Sequence, residues 1–159
     1  ESWTTAKCFG KLLSGMTAKH KLEKIEAKSN LIEMKNDNHV WDNKLPTAQM
    51  LGRWQPWHAG HQKLFEEILK KTGQVNIMVR DVKGVEDNPF DFETVKKNIF
   101  VALKDYKNRI QVSLVPNITN ICYGRGVGYK IEEIVLDEKT QQISATKIRE
   151  QMRKDGKLK

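Results

Sequence analysis

Cysteine is almost absent. Cys8 and Cys122 are the only two, far apart and outside any Cys-x-x-Cys pair. No disulfide framework and no thiolate zinc site is therefore written in the chain, and a reducing, cytoplasmic location is expected. No apolar run approaches the roughly 20 residues that a membrane span requires, and no secretory hydrophobic segment is visible. Internal repeats and low-complexity segments are also missing. What remains is an ordinary globular composition, 38% hydrophobic and 30% charged over 159 residues. That length suits one main domain able to bury about two thirds of its unfolded surface. The chain opens on Glu1 rather than Met, which fits a piece of a larger, bifunctional protein.

Charge is the one bias. The formal net charge is +8, and part of it gathers in the tail "KIREQMRKDGKLK". A basic excess points to nucleic acid, an anionic surface or an anionic small molecule. Elsewhere, as in "KHKLEKIEAK", lysines alternate with acids in the manner of a solvated helix face. No RNA-binding aromatic motif or helix-turn-helix spacing is present. A phosphate-bearing small molecule is expected ahead of nucleic acid.

The turn residues of "DNKLPTA" set off residues 1–46, an add-on segment or remnant, from a domain over 47–159. One or two short helices are expected between residues 4 and 28, with short strands at "NLIEM" and "HVWD". Downstream the order is regular. Strand "AQMLGRW" leads to helix "AGHQKLFEEILKK", closed by Thr72-Gly73. Strand "QVNIMVR", helix "FETVKKNIFVALKDY" and strand "RIQVSLV" follow, the last ended by Pro116. "KIEEIVL" is expected as a fourth strand and "SATKIREQMRKD" as a last helix capped by Ser144. Strands alternating with helices predict a parallel α/β sheet with right-handed crossovers. Ligands in such sheets bind beyond the carboxyl ends of the strands.

The unusual residues cluster at those ends. His58 and His61 flank Gly60 where the first helix of the domain begins. Spacing alone leaves three readings open: metal ligands, packed histidines or phosphate donors. Helix N–H groups and the positive end of the dipole favour an anion there. Gly60 would let its oxygens approach the backbone, and Arg53 could add a bidentate contact. A metal would need further ligands of Cys, His, Asp or Glu type, and none adjoins the pair. In "ISATKIRE", Ser144 and Thr146 offer hydroxyls at a second helix start, with Arg149 one turn beyond. A Ser-capped amphipathic helix explains the same residues without a ligand. "GRGVG" within "ICYGRGVGYK" fails the spacing of a dinucleotide fingerprint and reads as a loop offering Arg125. Lys83 lies in the loop after the second sheet strand, either solvated or able to swing onto a triphosphate.

Taken together, "GRWQPWHAGH" resembles the Gly-Arg-aromatic-Gln-Pro-x-His-x-Gly-His signature of the HxGH-motif, cytidylyltransferase-like nucleotidyltransferases. "ISATKIR", about 80 residues later, is similar to their second signature, Ile-Ser-small-Thr-x-(Ile/Lys)-Arg. "NPF" and "VPNITN" look most like the archaeal-type and phage nicotinamide-mononucleotide adenylyltransferases. The resemblance runs from about Thr47 to Met152.

It implies a Rossmann-like nucleotidyltransferase fold and transfer of a nucleoside monophosphate, more readily AMP than CMP, from ATP or CTP with Mg²⁺ to a phosphorylated acceptor. His58 and His61 would contact the triphosphate with Arg53 and Lys83 assisting. Ser144, Thr146 and Arg149 would hold its outer phosphates, and Gly52, Trp54, Gly60 and Arg125 would line the nucleotide site. Trp54 and Trp57 read either as base-stacking or as packing residues. The family also implies a homo-oligomer. One departure stands out: relatives carry an Arg soon after "NPF", where this chain has Val95, so the acceptor is left open. A cytidylyltransferase making a CDP-alcohol such as CDP-glycerol, or a nucleotide-binding domain without turnover, are the alternatives.

Overall fold

The computed structural model describes residues 31–159; the helices expected between 4 and 28 lie outside them. The chain divides into two compact units, residues 1–37 and 38–159. The described part of the first is a helical turn over 31–34 and the turn after it. The described residues of "NLIEM", 31–34, are thus helical rather than a strand, and "HVWD" has no regular structure. Its backbone finds a side chain instead of a strand partner. The fully buried amide of Gln74 donates to Asp42 O at 2.8 Å and accepts from His39 Nε2 at 3.0 Å. The same amide donates to Thr47 Oγ1 at 2.7 Å. Residues 39–47 are thereby pinned to the base of the sheet, with every polar atom of a buried amide satisfied.

The second unit begins with β1 (Ala48–Gly52), α1 (Ala59–Thr72), β2 (Val75–Arg80) and α2 (Phe92–Ala102). A 3₁₀ segment (Lys104–Arg109), β3 (Ile110–Val115), α3 (Glu138–Gln141) and α4 (Ala145–Lys154) complete it. The three strands form one parallel sheet in the order β1-β2-β3. It is an open α/β sheet with flanking helices, of Rossmann-like kind. Met50 lies opposite Ile77, and Ile77 opposite Val112. Val75, Ile77 and Val79 of β2 are buried, with Phe65 and Leu69 of α1 and Val95 and Ile99 of α2. The alternate residues Asn76, Met78 and Arg80 are half-buried on the other face, as the period of two requires.

Two elements differ from expectation. α2 stops at Ala102, and Lys104–Arg109 tightens to 3₁₀. The segment kinks at Tyr106, whose N–H donates to Leu103 O at 2.8 Å, and both residues are buried. "KIEEIVL" forms no strand. Its apolar residues break the alternation that a half-buried strand needs, and Ile131 and Val135 are exposed. Instead the Lys71–Glu132 ion pair, at 3.0 Å, ties this stretch to the C-terminal end of α1. No helix among the described residues is long and apolar enough to cross a membrane.

Parallel strands bring Gly52, Arg80 and Val115 to one end of the sheet. The start of α1 follows β1 at that end, and the loop 81–91 follows β2.

Candidate functional site

α1 begins at Ala59 with an extended residue, His58, as its N-cap. The capping is reciprocal and built from two imidazoles. His58 Nδ1 accepts from Gly60 N at 3.0 Å and from His61 N at 3.4 Å. His61 Nδ1 accepts from His58 N at 3.1 Å. This is the geometry of a capping box, with rings stacked at 3.6 Å between centroids. The free N–H groups expected as an anion cradle at the helix start are therefore partly taken by the protein itself.

That arrangement fixes the chemistry of the pair. A ring nitrogen that accepts a backbone N–H carries no proton, so each neutral imidazole is protonated on Nε2. Each ring is left with one N–H donor. Protonating Nδ1 would break the cap. Burial lowers the pKa of both, and the neighbouring charge of His58 helps bring His61 down to about 3. At neutral pH the site presents two uncharged N–H donors.

The glycines and tryptophans explain how the pair is held. A Cβ on Gly60 would meet His58 Cε1 at 2.9 Å and the Thr140 carbonyl at 3.5 Å. Gly60 therefore makes room for the ring that caps it. A Cβ on Gly52 would lie 2.6 Å from the indole of Trp54. Trp54 is buried, with a left-handed backbone at φ 54°. Its Nε1 donates to Met78 O at 3.2 Å, and its ring meets His61 edge-on at 4.7 Å. Trp54 is a packing residue that backs the histidines. Trp57 packs against both, at 5.2 Å from Trp54 and 5.5 Å from His61. Its buried indole N–H has no partner among the described residues.

The second motif reaches the first through Arg149. α4 starts after Ser144, whose hydroxyl caps it by accepting from Lys147 N at 3.4 Å. Arg149 is only 8% exposed. Its Nη1 donates to Gln55 O at 2.6 Å, its Nη2 to Thr146 Oγ1 at 3.3 Å and its Nε to Asp87 Oδ2 at 2.9 Å. Gln55 is buried in turn. Its side-chain Nε2 donates to Phe90 O and its Oε1 accepts from Phe90 N, both at 2.9 Å. One residue of the histidine loop thus holds both α4 and the loop 81–91.

The remaining cations are more open. Arg53 is exposed just past β1, and Lys83 is exposed past β2. Lys83 and Arg80 line a cleft at the ends of β2 and β3, beside Gln55, Phe90 and Phe92. Arg80 Nη2 donates to Asn117 Oδ1 at 2.7 Å. Arg125 is exposed in the irregular stretch after β3, and no hydrogen bond or ring contact brings it to the histidines.

Spacing in the sequence does not mark Gln55, Asp87 or Arg153. Gln55 was legible only as part of "GRWQPWHAGH". Asp87 lies 62 residues from Arg149 in sequence, and nothing local marks it. Among the described residues no cluster of three or more His, Cys, Asp or Glu side chains is arranged to hold a metal. Compared with known proteins, the sequence matches no family model and no curated protein.

Proposed function

We propose that this protein is a nucleotidyltransferase that passes a nucleoside monophosphate, AMP ahead of CMP, from a nucleoside triphosphate to a phosphorylated small molecule. The observation that carries the reading is the 2.6 Å bond from Arg149 to Gln55. It ties the start of the "ISATKIR" helix to the loop bearing two Nε2–H imidazoles, as a single polyphosphate-binding surface needs. An acceptor phosphate oxygen attacks the α-phosphorus, the bond to the bridging oxygen breaks, and pyrophosphate leaves. His58 and His61 donate Nε2–H bonds to the phosphate oxygens, where negative charge grows. Arg53 and Lys83, from the ends of adjacent strands, supply the positive charge that neutral imidazoles lack. Positioning contributes the rest of the acceleration.

Mg²⁺ fits this reading as part of the substrate. With no protein carboxylate cage in the described residues, the ion would be held by phosphate oxygens and water, its common arrangement in nucleotide sites. Held there, it would supply positive charge to the departing pyrophosphate.

The test is pyrophosphate release with each of the four triphosphates against a panel of phosphorylated acceptors. Release with ATP supports the adenylyl reading, and release with CTP and a phosphorylated alcohol supports the cytidylyl one. Tight triphosphate binding with no release from any pair would leave a nucleotide-binding domain instead.

A further inference from the structure

We propose that Asp87 is an internal competitor for the arginines of α4: its carboxylate holds Arg149 and Arg153 until a ligand phosphate takes its place, so that ligand binding and release of the loop 81–91 are one linked event. This rests on the polyphosphate-site reading above and adds a regulatory device to it.

Asp87 Oδ2 accepts from Arg149 Nε at 2.9 Å and from Arg153 Nη1 at 3.2 Å, and Oδ1 accepts from Arg153 Nη2 at 2.6 Å. Carboxylate and phosphate are alternative partners for the same guanidinium fork. Two arginines on one carboxylate leave a surplus positive charge, which a phosphate of higher charge satisfies better. The attraction is strong enough to hold the Asp87 carboxyl well below the usual carboxylate range, chiefly through its Arg153 and Arg149 hydrogen bonds. The side chains of Asp87 and Arg153 are 45% and 37% exposed, so a soluble anion can reach them, whereas buried Arg149 becomes accessible only as Asp87 leaves.

The remaining contacts favour exchange over collapse. Arg149 keeps Gln55 O and Thr146 Oγ1 when Asp87 leaves, so its guanidinium stays aimed. The loop is knotted on itself: Gly84 N donates to Asn88 O, Val85 N to Val82 O, and the Asn88 amide to Val85 O. Its two ends stay anchored, by buried Val82 on one side and by buried Asn88 and the Gln55 grip on Phe90 on the other, so losing the Asp87 ties frees the exposed stretch 83–87 to open and loosens these short-range bonds.

The experiment is calorimetric titration of the wild type and Asp87→Asn with inorganic pyrophosphate and with ATP, paired with amide hydrogen exchange. If the latch is closed about nine tenths of the time, removing it tightens apparent binding about tenfold. In the wild type, saturating pyrophosphate should speed exchange at residues 83–87; in Asp87→Asn exchange there is already fast. Equal or weaker binding by Asp87→Asn, or a wild-type loop that pyrophosphate protects, overturns the latch and leaves the function intact. Binding by Asp87→Asn alone supports the latch. Absence of binding by both proteins removes the polyphosphate site and the latch together. Thermal melts of both proteins check that the substitution at this exposed residue leaves the fold in place.

Discussion

The backbone carbonyl of Gln55 accepts a 2.6 Å hydrogen bond from Arg149, 94 residues away in sequence, while its side-chain amide clamps both backbone groups of Phe90. One buried residue therefore sets three segments against each other. The two motifs that resemble a phosphate-binding pair, and the loop between them, share it as a joint.

Replacing the amide tests that joint. Gln55→Ala leaves the N–H and C=O of Phe90 without their partner, at a cost of about 2 kcal/mol. Urea unfolding should show the loss, and limited proteolysis should cut the 81–91 loop faster. An unchanged midpoint with an unchanged loop would mean that water replaces the amide without penalty.

The glycine beside the histidines makes a sharper steric prediction. Gly60→Ala places a methyl 2.9 Å from His58 Cε1 and forces the capping ring aside, costing about 1–3 kcal/mol. Gly124 is a built-in control, since its Cβ would meet nothing within 4 Å, and Gly124→Ala should stay within about 0.5 kcal/mol of the wild type. Equal melting shifts for the two would contradict the packed cap. Triphosphate binding should fall with Gly60→Ala alone.

Acid should destabilise the protein in a window set by the histidines. Above pH 6.5 His61 is neutral whether the chain is folded or not, and its stabilising cap is intact. As pH falls below 6.5 the unfolded chain takes a proton that the folded ring refuses until about pH 3. Stability therefore declines through that window, by at most about 1.4 kcal/mol per pH unit for one group. His58 acts in the same direction. Asp87, held low by its arginines, adds a loss only below the ordinary carboxylate range. Urea midpoints measured at a series of pH values should slope between pH 6.5 and 4.5. His61→Gln, which keeps an acceptor at a capping-box position and does not titrate, should flatten that slope; a slope unchanged by it would show that His61 is not the proton acceptor.

Much of this was legible in the chain. Alternation in "QVNIMVR", the helical spacing of Phe65, Ile68 and Leu69 and the glycine stop at Gly73 mark β2 and α1 because burial and backbone geometry act locally. The start of α1 near Ala59 and the Ser144 cap of α4 are legible as well; the capping role of His58 is not, because it depends on where the folded ring lies. The sequence presents Gly60 as open to a ligand, whereas its missing side chain admits His58; only the folded ring position reveals that. "KIEEIVL" has the apolar content of a strand but not its period of two, and it stays irregular. Asp87 was invisible, since ion pairs across 62 residues leave no local pattern.

The most direct test is the rate of pyrophosphate formation by wild type and His61→Ala under single-turnover conditions, with the triphosphate and acceptor that the substrate panel identifies. Losing a donor aimed at developing charge should slow the step about 100-fold or more, in a protein whose melting curve shows it still folded. An equal rate in the two proteins, or no pyrophosphate from the wild type with any pair, would contradict the account.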